Sequence, residues 1–475
     1  MTRIVRLVSL LALSFAMQSL SLPAQAVQPG PAMDAVERLA ESVRFRTISH
    51  QDVKLVDYHE FERLHEFLRE SFPRVFAAFE VETVNGYSLL LHWPGTEPSL
   101  QPVLFTAHMD VVPIEPGTEQ DWAYPPFDGV VAEGRIHGRG TLDDKQGMMG
   151  LLEAAESLLS EGYRPQRSLV FAFGHDEEIG GREGAARLAQ RMRERNWRFA
   201  WMVDEGGMLL AGNPLLPERQ IAMINIAEKA YVTLTLVATG EGGHSSRPPP
   251  VSTIGRLSAA LARIENHPFP PRLPEPVVGM LQAMAPHMSQ PERFIFSNLW
   301  LTGGLVADRM AEEALTNSFV RSTTALTMFN AGVKENVVPQ RAEAKVNFRL
   351  LPGDTPAQLL QRVENIVDDP EIEILHDDWD NVPPVSDVDG PGFRAIAEAV
   401  AEVYPDALIV PSLLTATTDT RHYVALADDQ YRFHGMLIDA SQADTVHGTG
   451  EYIATQSYLD SIAVARAMLR LGSSR

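Results

Sequence analysis

The stretch Ser168-Leu-Val-Phe-Ala-Phe173-Gly-His175-Asp176-Glu177-Glu178-Ile-Gly-Gly181 decides the fold. Its first half is apolar without alternation, as a strand covered on both faces is. Its second half breaks into acids and glycines. The same grammar recurs on either side. Pro102-Val-Leu-Phe-Thr-Ala107 runs into His108-Met109-Asp110, and Ala200-Trp-Met-Val203 runs into Asp204-Glu205-Gly206-Gly207. Ser88 to Trp93 is a further strand, and Met33–Arg44, Phe61–Phe72 and Gln146–Leu159 have helical spacing. Apolar strands alternating with helices imply an α/β fold, a mostly parallel sheet flanked by helices. In such sheets a ligand site lies beyond the carboxyl ends of the strands, where these acids and histidines fall.

Near Glu228 the texture changes. Tyr231–Val237 alternates as a half-buried strand does, and a helix over Ser252–Asn266 follows. Strands at Thr323–Phe329 and Ala342–Leu350, a helix over Ala357–Val367 and a strand at Glu371–Leu375 complete a β-α-β-β-α-β order. The expected organisation is a domain made of residues 27–227 and 379–475, interrupted by an open-faced sandwich at 228–378. The Pro-rich stretch Phe269–Asn317 has no clear assignment.

Composition narrows the chemistry. The 475 residues are 45% hydrophobic and 21% charged, ordinary for a folded protein. A net charge of −22 without a basic block argues against a nucleic-acid partner. Cysteine is absent, which excludes a thiol nucleophile, a disulfide framework and Cys-ligated metals. Met1–Ala26 reads as an export signal. Arg3 and Arg6 precede an apolar run that ends on Ala24-Gln25-Ala26, and the run is shorter than the roughly 20 residues of a membrane span. The expected mature protein starts at Val27, has no membrane span and is periplasmic or secreted.

Two more motifs join the three strand ends: Gly138-Arg-Gly-Thr-Leu-Asp143-Asp144-Lys145 and Val446-His447-Gly448-Thr449-Gly450-Glu451. Alone, each is bland. A His-x-Asp is usually a hydrogen-bonded surface pair, and paired acids are usually solvated charges at a helix start. Together they differ, because one sheet edge would gather several carboxylates whose repulsion a pair of divalent ions removes. Two histidines and three carboxylates suffice for such a pair, with one carboxylate shared. A remaining acid can then serve as general base, and another can orient an imidazole.

With all five motifs in order from about Met33 to Ser473, the sequence resembles the M20 metallopeptidases, and among them the branch of carboxypeptidase S and the secreted N-acyl-amino-acid hydrolases. The resemblance implies two Zn2+ per subunit, with Co2+ or Mn2+ as substitutes. It implies His108 and Glu205 on one ion, Glu178 and His447 on the other, and Asp143 bridging them. The adjacent Asp204 stays an alternative to Glu205. Glu177 would be the general base acting on water, and Asp110 would fix the His108 tautomer. The insert matches the family's lid, through which the subunits of a homodimer would meet. Its His244, in Gly242-Gly-His244-Ser-Ser246, would reach the substrate carbonyl. Asn336 and Arg349 would hold a substrate carboxylate, with Arg421 in Thr418-Asp419-Thr420-Arg421-His422 as a second clamp. The resemblance also implies a cis peptide bond between Asp143 and Asp144.

The expected protein is therefore a zinc-dependent amidohydrolase or carboxypeptidase. It would cleave an amide next to a free α-carboxylate, in a short peptide or an N-acyl-amino acid. A dipeptidase or aminopeptidase on the same ions is the rival within enzymes, and an inactive ligand-binding homologue the rival outside them. Arg349 argues against the aminopeptidase, which needs an acid for the substrate amine. The intact Glu177 and Asp110 argue against the inactive homologue.

Overall fold

The structure, a computed structural model, describes residues 31–377 and 379–474. The expected leader, residues 1–26, lies outside them. A ten-stranded sheet forms the larger part of the molecule. At its centre Leu169–Gly174, Val103–His108, Met202–Asp204 and Gln430–Arg432 lie side by side and parallel. Ser88–Trp93 and Glu80–Val84 extend one edge antiparallel. On the far side, Ile221–Glu228 meets Gln430–Arg432 antiparallel and pairs in parallel with Leu408–Leu414.

The unbroken apolar strands are buried on both faces, and successive residues alternate between two cores. Val103, Phe105, Phe171 and Phe173 point to one side, where Leu151, Leu152 and Met468 of the helices Lys145–Ser160 and Thr455–Gly472 cover them. Leu104, Val170 and Ala172 point to the other, against Leu188 and Met192 of Ala185–Glu194 and Tyr423. This two-sided covering is what a near-parallel sheet requires.

A second, four-stranded antiparallel sheet is ordered Thr323–Ala331, Arg341–Leu350, Ala230–Thr239, Ile372–Leu375. The helices Thr253–Glu265 and Pro356–Val367 bury their Leu257, Leu261, Leu359 and Val363 on it. Tyr231, Leu326, Met328 and Phe329 remain exposed. Thr355 starts the second helix with a capping box to Gln358. A two-residue ribbon, Gly243–His244 against Val337–Val338, stands apart from this sheet. Only Lys229 separates the last large-sheet residue, Glu228, from the first of the small sheet, Ala230.

The stretch without a sequence assignment is helical: Glu275–Met284, Glu292–Ser297, Leu299–Met310 and Ala314–Val320. Although it falls within 228–378, it rests on the large sheet. Val277 and Leu281 pack with Ala227 and Leu413, and Met284 packs with Ile221 and Val410. A Cβ on Gly279 would meet the Pro411 ring at 2.9 Å, so the helix can approach the strand this closely only with glycine there. Among the described residues no helix is long and apolar enough to cross a membrane.

Candidate metal centre and substrate site

Three parallel neighbours end at one edge, and each places polar residues at or just beyond its carboxyl end. Val103–His108 ends on His108, Leu169–Gly174 leads into Glu177 and Glu178, and Met202–Asp204 leads into Glu205. The other two candidate ligands, Asp143 and His447, come on loops. Tyr452–Ala454 pairs with Arg135–His137, which carries the His447 loop to the Asp143 loop.

The ligand atoms of His108, Asp143 and Glu205 lie within 4.8 Å of one another, as do those of Asp143, Glu178 and His447. Asp143 belongs to both groups. Its Oδ1 is 2.9 Å from His108 Nε2 and its Oδ2 is 3.0 Å from His447 Nε2. Glu178 Oε2 is 3.0 Å from the same His447 nitrogen. Glu205, rather than Asp204, faces His108, at 3.5 Å. Asp204 turns away to accept a hydrogen bond from Thr420 Oγ1 at 2.7 Å. The Asp143–Asp144 peptide bond is cis.

Asp110 has a broader task than orienting an imidazole. His108 Nδ1 lies 2.9 Å from the Asp110 carbonyl oxygen and 3.4 Å from its carboxylate. The carboxylate itself accepts the backbone N–H groups of Glu177 and Glu178, each at 3.1 Å. One buried acid thus ties a histidine to the turn that carries two glutamates. The turn is seated from the other side by the Thr418–His422 loop. Gly181, at φ +66°, lies where a Cβ would come within 2.0 Å of Asp419 Oδ1, and His422 Nε2 is 2.9 Å from the Gly180 carbonyl.

The electrostatics of the cluster fit cations. Burial, with Asp143 adding to it, pushes Glu205 up to about 8 and Glu178 up to about 7. Asp143 is held far below its usual range, against burial, by the two imidazoles. His447 is pushed up to about 10 by Asp143 and Glu178. His108 overcomes burial through Glu205, Asp110 and Asp143 and also rises. In this state protons on the imidazoles balance the acids. A divalent ion in each triad would balance them better, and Glu178 Oε1 is buried with no hydrogen-bond partner. The two triads are thus candidate ligand sets for divalent metal. Glu177 stands beside them without belonging to either triad. Burial, then Glu205 and Asp419, hold its carboxyl well above the usual range.

Arg349 and Arg421, from different parts of the chain, both lie within electrostatic reach of Glu177. Arg349, on the small sheet, donates to Thr417 Oγ1 at 2.9 Å and lies over the Tyr231 ring at 4.5 Å. Arg421 is buried, with its Nε 3.6 Å from Asp380 Oδ2. Burial lowers Arg349, and Glu177 is among the charges that offset this. Arg421 is raised despite burial, with Glu177 first among the acids responsible. His244 and Asn336 are placed differently. Both are exposed on the small ribbon, where His244 Nδ1 accepts from the Ser246 N–H at 3.1 Å. No hydrogen bond or ion pair among the described residues joins either to the acid–histidine cluster.

Sequence reasoning missed several residues that shape the site. Glu228 and Arg432 form a wholly buried ion pair at 3.0 Å, and Glu228 also accepts from Thr418 Oγ1 at 2.8 Å. Asp176 accepts the N–H groups of Glu183 and Gly184 at 2.8 and 2.7 Å, closing the loop after Glu178. Glu451 collects backbone donors around Asp143. Of these, Glu451 carried a visible sign, an acid four residues after a candidate ligand in a glycine-rich turn.

The profile of Peptidase family M20/M25/M40 matches residues 104–471, and the chain belongs to that family. Among curated relatives, probable carboxypeptidase S-like 2 of Dictyostelium discoideum is 37% identical over 432 residues, 90% of this chain and 82% of that protein. The N-fatty-acyl-amino acid synthase/hydrolase PM20D1 of Mus musculus is 37% identical over 434 residues, 90% of this chain and 85% of that protein. Among solved structures, the M20 family metallo-carboxypeptidase Sso-CP2 from Sulfolobus solfataricus superposes with a TM-score of 0.67 at 18% identity. That match covers 92% of this chain and 99% of the other.

Proposed function

We propose that the protein is a dinuclear zinc amidohydrolase that cleaves an amide bond next to a free α-carboxylate. The observation that carries this reading is the placement of Glu177, in electrostatic reach of both the ligand cluster and the paired arginines. A group able to accept a proton is thus within electrostatic reach of both a candidate cation site and a candidate anion site, which supports the reading. When bound, two divalent ions would polarise the scissile carbonyl and make water more acidic. His108 and Glu205 would hold one, Glu178 and His447 the other, and Asp143 both.

The remaining work falls to the chain's own side chains. Arg349 and Arg421 bind the substrate carboxylate, with Asn336 joining them from the ribbon of a second copy of the chain, and so set the position of the neighbouring amide. Glu177 takes a proton from the attacking water as the new C–O bond forms. It then passes that proton to the amide nitrogen as the C–N bond breaks, releasing a carboxylate and an amine. Asp110 keeps Glu177 in place through its backbone N–H. His244 donates to the developing oxyanion. Its exposed position suits delivery from a second copy of the chain through the small sheet, which acts as lid and dimer interface. Residues 27–227 and 379–475 make up the catalytic domain, and residues 1–26 direct export to the periplasm or exterior.

The relatives' names support this substrate class, since an N-fatty-acyl-amino acid ends in a free carboxylate and a carboxypeptidase acts beside one. The test is a panel of N-acyl-amino acids and short peptides, each assayed as free acid and as primary amide on zinc-loaded protein. Preference for the acids is expected. Equal turnover of acids and amides would leave a broader amidase.

A further inference from the structure

Glu451 lies at the crossing point of the two loops that supply ligands. Its side chain is wholly buried. Oε1 accepts the backbone N–H groups of Gly140 at 3.0 Å, Leu142 at 2.7 Å and Asp143 at 3.4 Å. Oε2 accepts from Arg139 Nη1 at 2.6 Å, and the Glu451 carbonyl accepts from the Gly138 N–H at 3.0 Å. Arg139 then reaches on, through Nη2, to the Gly448 carbonyl at 2.8 Å, next to His447. The pair therefore bolts the Asp143 turn to the His447 turn across more than 300 positions of sequence. A buried carboxylate with this many donors is a rigid fixture, because removing any partner leaves a buried group unsatisfied.

The two triads depend on this fixture unequally. In the first, His108 and Glu205 follow strands of the central sheet, and only Asp143 is loop-borne. In the second, both Asp143 and His447 are loop-borne. His447 also sits at φ +60°, in the left-handed region that few residues other than glycine adopt, and its side chain is about half exposed. Little packing holds it in place, so its loop must be held from behind.

We infer that Glu451 is a positioning residue that, with Arg139, sets the affinity of the Glu178–His447 site for its ion while leaving the His108–Glu205 site nearly unaffected. The inference rests on the two-ion reading above. Glu451 touches no substrate atom and acts only through the loops that it joins. Supporting groups of this kind typically govern metal affinity by about 10–100-fold.

The test is a titration of metal-free protein with Co2+, followed by visible absorption and calorimetry, for the native chain, Glu451→Gln and Arg139→Lys. Circular dichroism and thermal unfolding report the fold of each. The native chain is expected to take up two ions. Folded Glu451→Gln is expected to bind its first ion within about threefold of the native affinity and its second at least tenfold more weakly. Arg139→Lys keeps the charge but loses one of its two contacts, and should show the same one-sided weakening. It decides the matter if Glu451→Gln fails to fold. Native affinity at both sites, or equal weakening of both, would overturn the inference. A native chain that binds fewer than two ions would instead remove the two-ion reading, and this inference with it.

Discussion

Replacing Arg349 with methionine should separate recognition of the substrate carboxylate from everything else the enzyme does. Methionine keeps an unbranched stem against the Tyr231 ring, now stacked 4.5 Å beneath the guanidinium, and sulfur packs well on aromatic rings. What is lost is the charge and the donor fork. Among the described residues, the hydrogen bond which that fork makes goes to a neutral acceptor, Thr417 Oγ1, at 2.9 Å. Burial lowers the Arg349 pKa, but a guanidinium titrates so far above neutrality that the group stays charged. A charge-assisted bond to a carboxylate is worth about 1.5–3 kcal/mol. At about 1.4 kcal/mol per factor of ten, that amounts to about 10–150-fold in kcat/KM. On the proposed reading Arg421 shares the anion, which places the result toward the lower end. The assay compares kcat/KM for an N-acyl-amino acid and its primary amide in native and Arg349→Met protein. The acid should lose at least about tenfold and the amide about twofold or less, so that the variant treats the two more alike. An equal loss on both would mean that Arg349 shapes the site without reading the carboxylate. No loss on the acid would remove it from recognition altogether.

Other outcomes rest on the same geometry. On the proposed two-ion reading, Glu177→Gln should retain both metal ions by elemental analysis while kcat falls by about 10²–10⁴-fold, and loss of metal would reassign Glu177 as a ligand. Arg432→Met leaves Glu228 buried and uncompensated, so urea unfolding should show a loss of about 3–5 kcal/mol; an unchanged midpoint would mean that Glu228 is neutral there. Burial pushes the His65 imidazole down to about 4, whereas in an unfolded chain it titrates near 6.5. The folded state therefore prefers the neutral form. That preference costs nothing above about pH 6.5 and lowers stability progressively as pH falls toward 4, by up to about 3 kcal/mol. His65→Leu should flatten the fall of unfolding free energy between pH 7 and 4.5, and an identical slope would exclude His65 as its source.

What could be read in advance was what depends on local periodicity. The unbroken run Ser168–Phe173 and its two companions read as covered strands whose ends share an edge, so His108, Glu178 and the Asp204–Glu205 pair were legible as neighbours. The choice between Asp204 and Glu205 was not legible. It depends on a hydroxyl of Thr420, 216 positions away, which pulls Asp204 aside. The Glu228–Arg432 pair, 204 positions apart, left no local trace either. Phe269–Asn317 was opaque because its prolines and short helices blur the 3.6-residue period, and because its apolar residues answer to Leu413 and Val410 on a strand formed much later in the chain. His244 and Asn336 could be placed on a turn from their glycine and proline neighbours, but a single chain does not carry them to the cluster.

The interruption of the large sheet has a consequence for biosynthesis. Thr418 and Glu228, which meet in the finished protein, are 190 positions apart. A ribosome adding about 5–20 residues per second needs roughly 10–40 s to bridge that interval. For that time the strand Ile221–Glu228 exists without Leu408–Leu414, its apolar face uncovered and its edge open. The nascent chain is then at its most vulnerable to aggregation, and a holding chaperone would help most in this window. His447 emerges later still, so a chain released before it displays an almost complete candidate ligand set and yet lacks the one residue that closes the second triad.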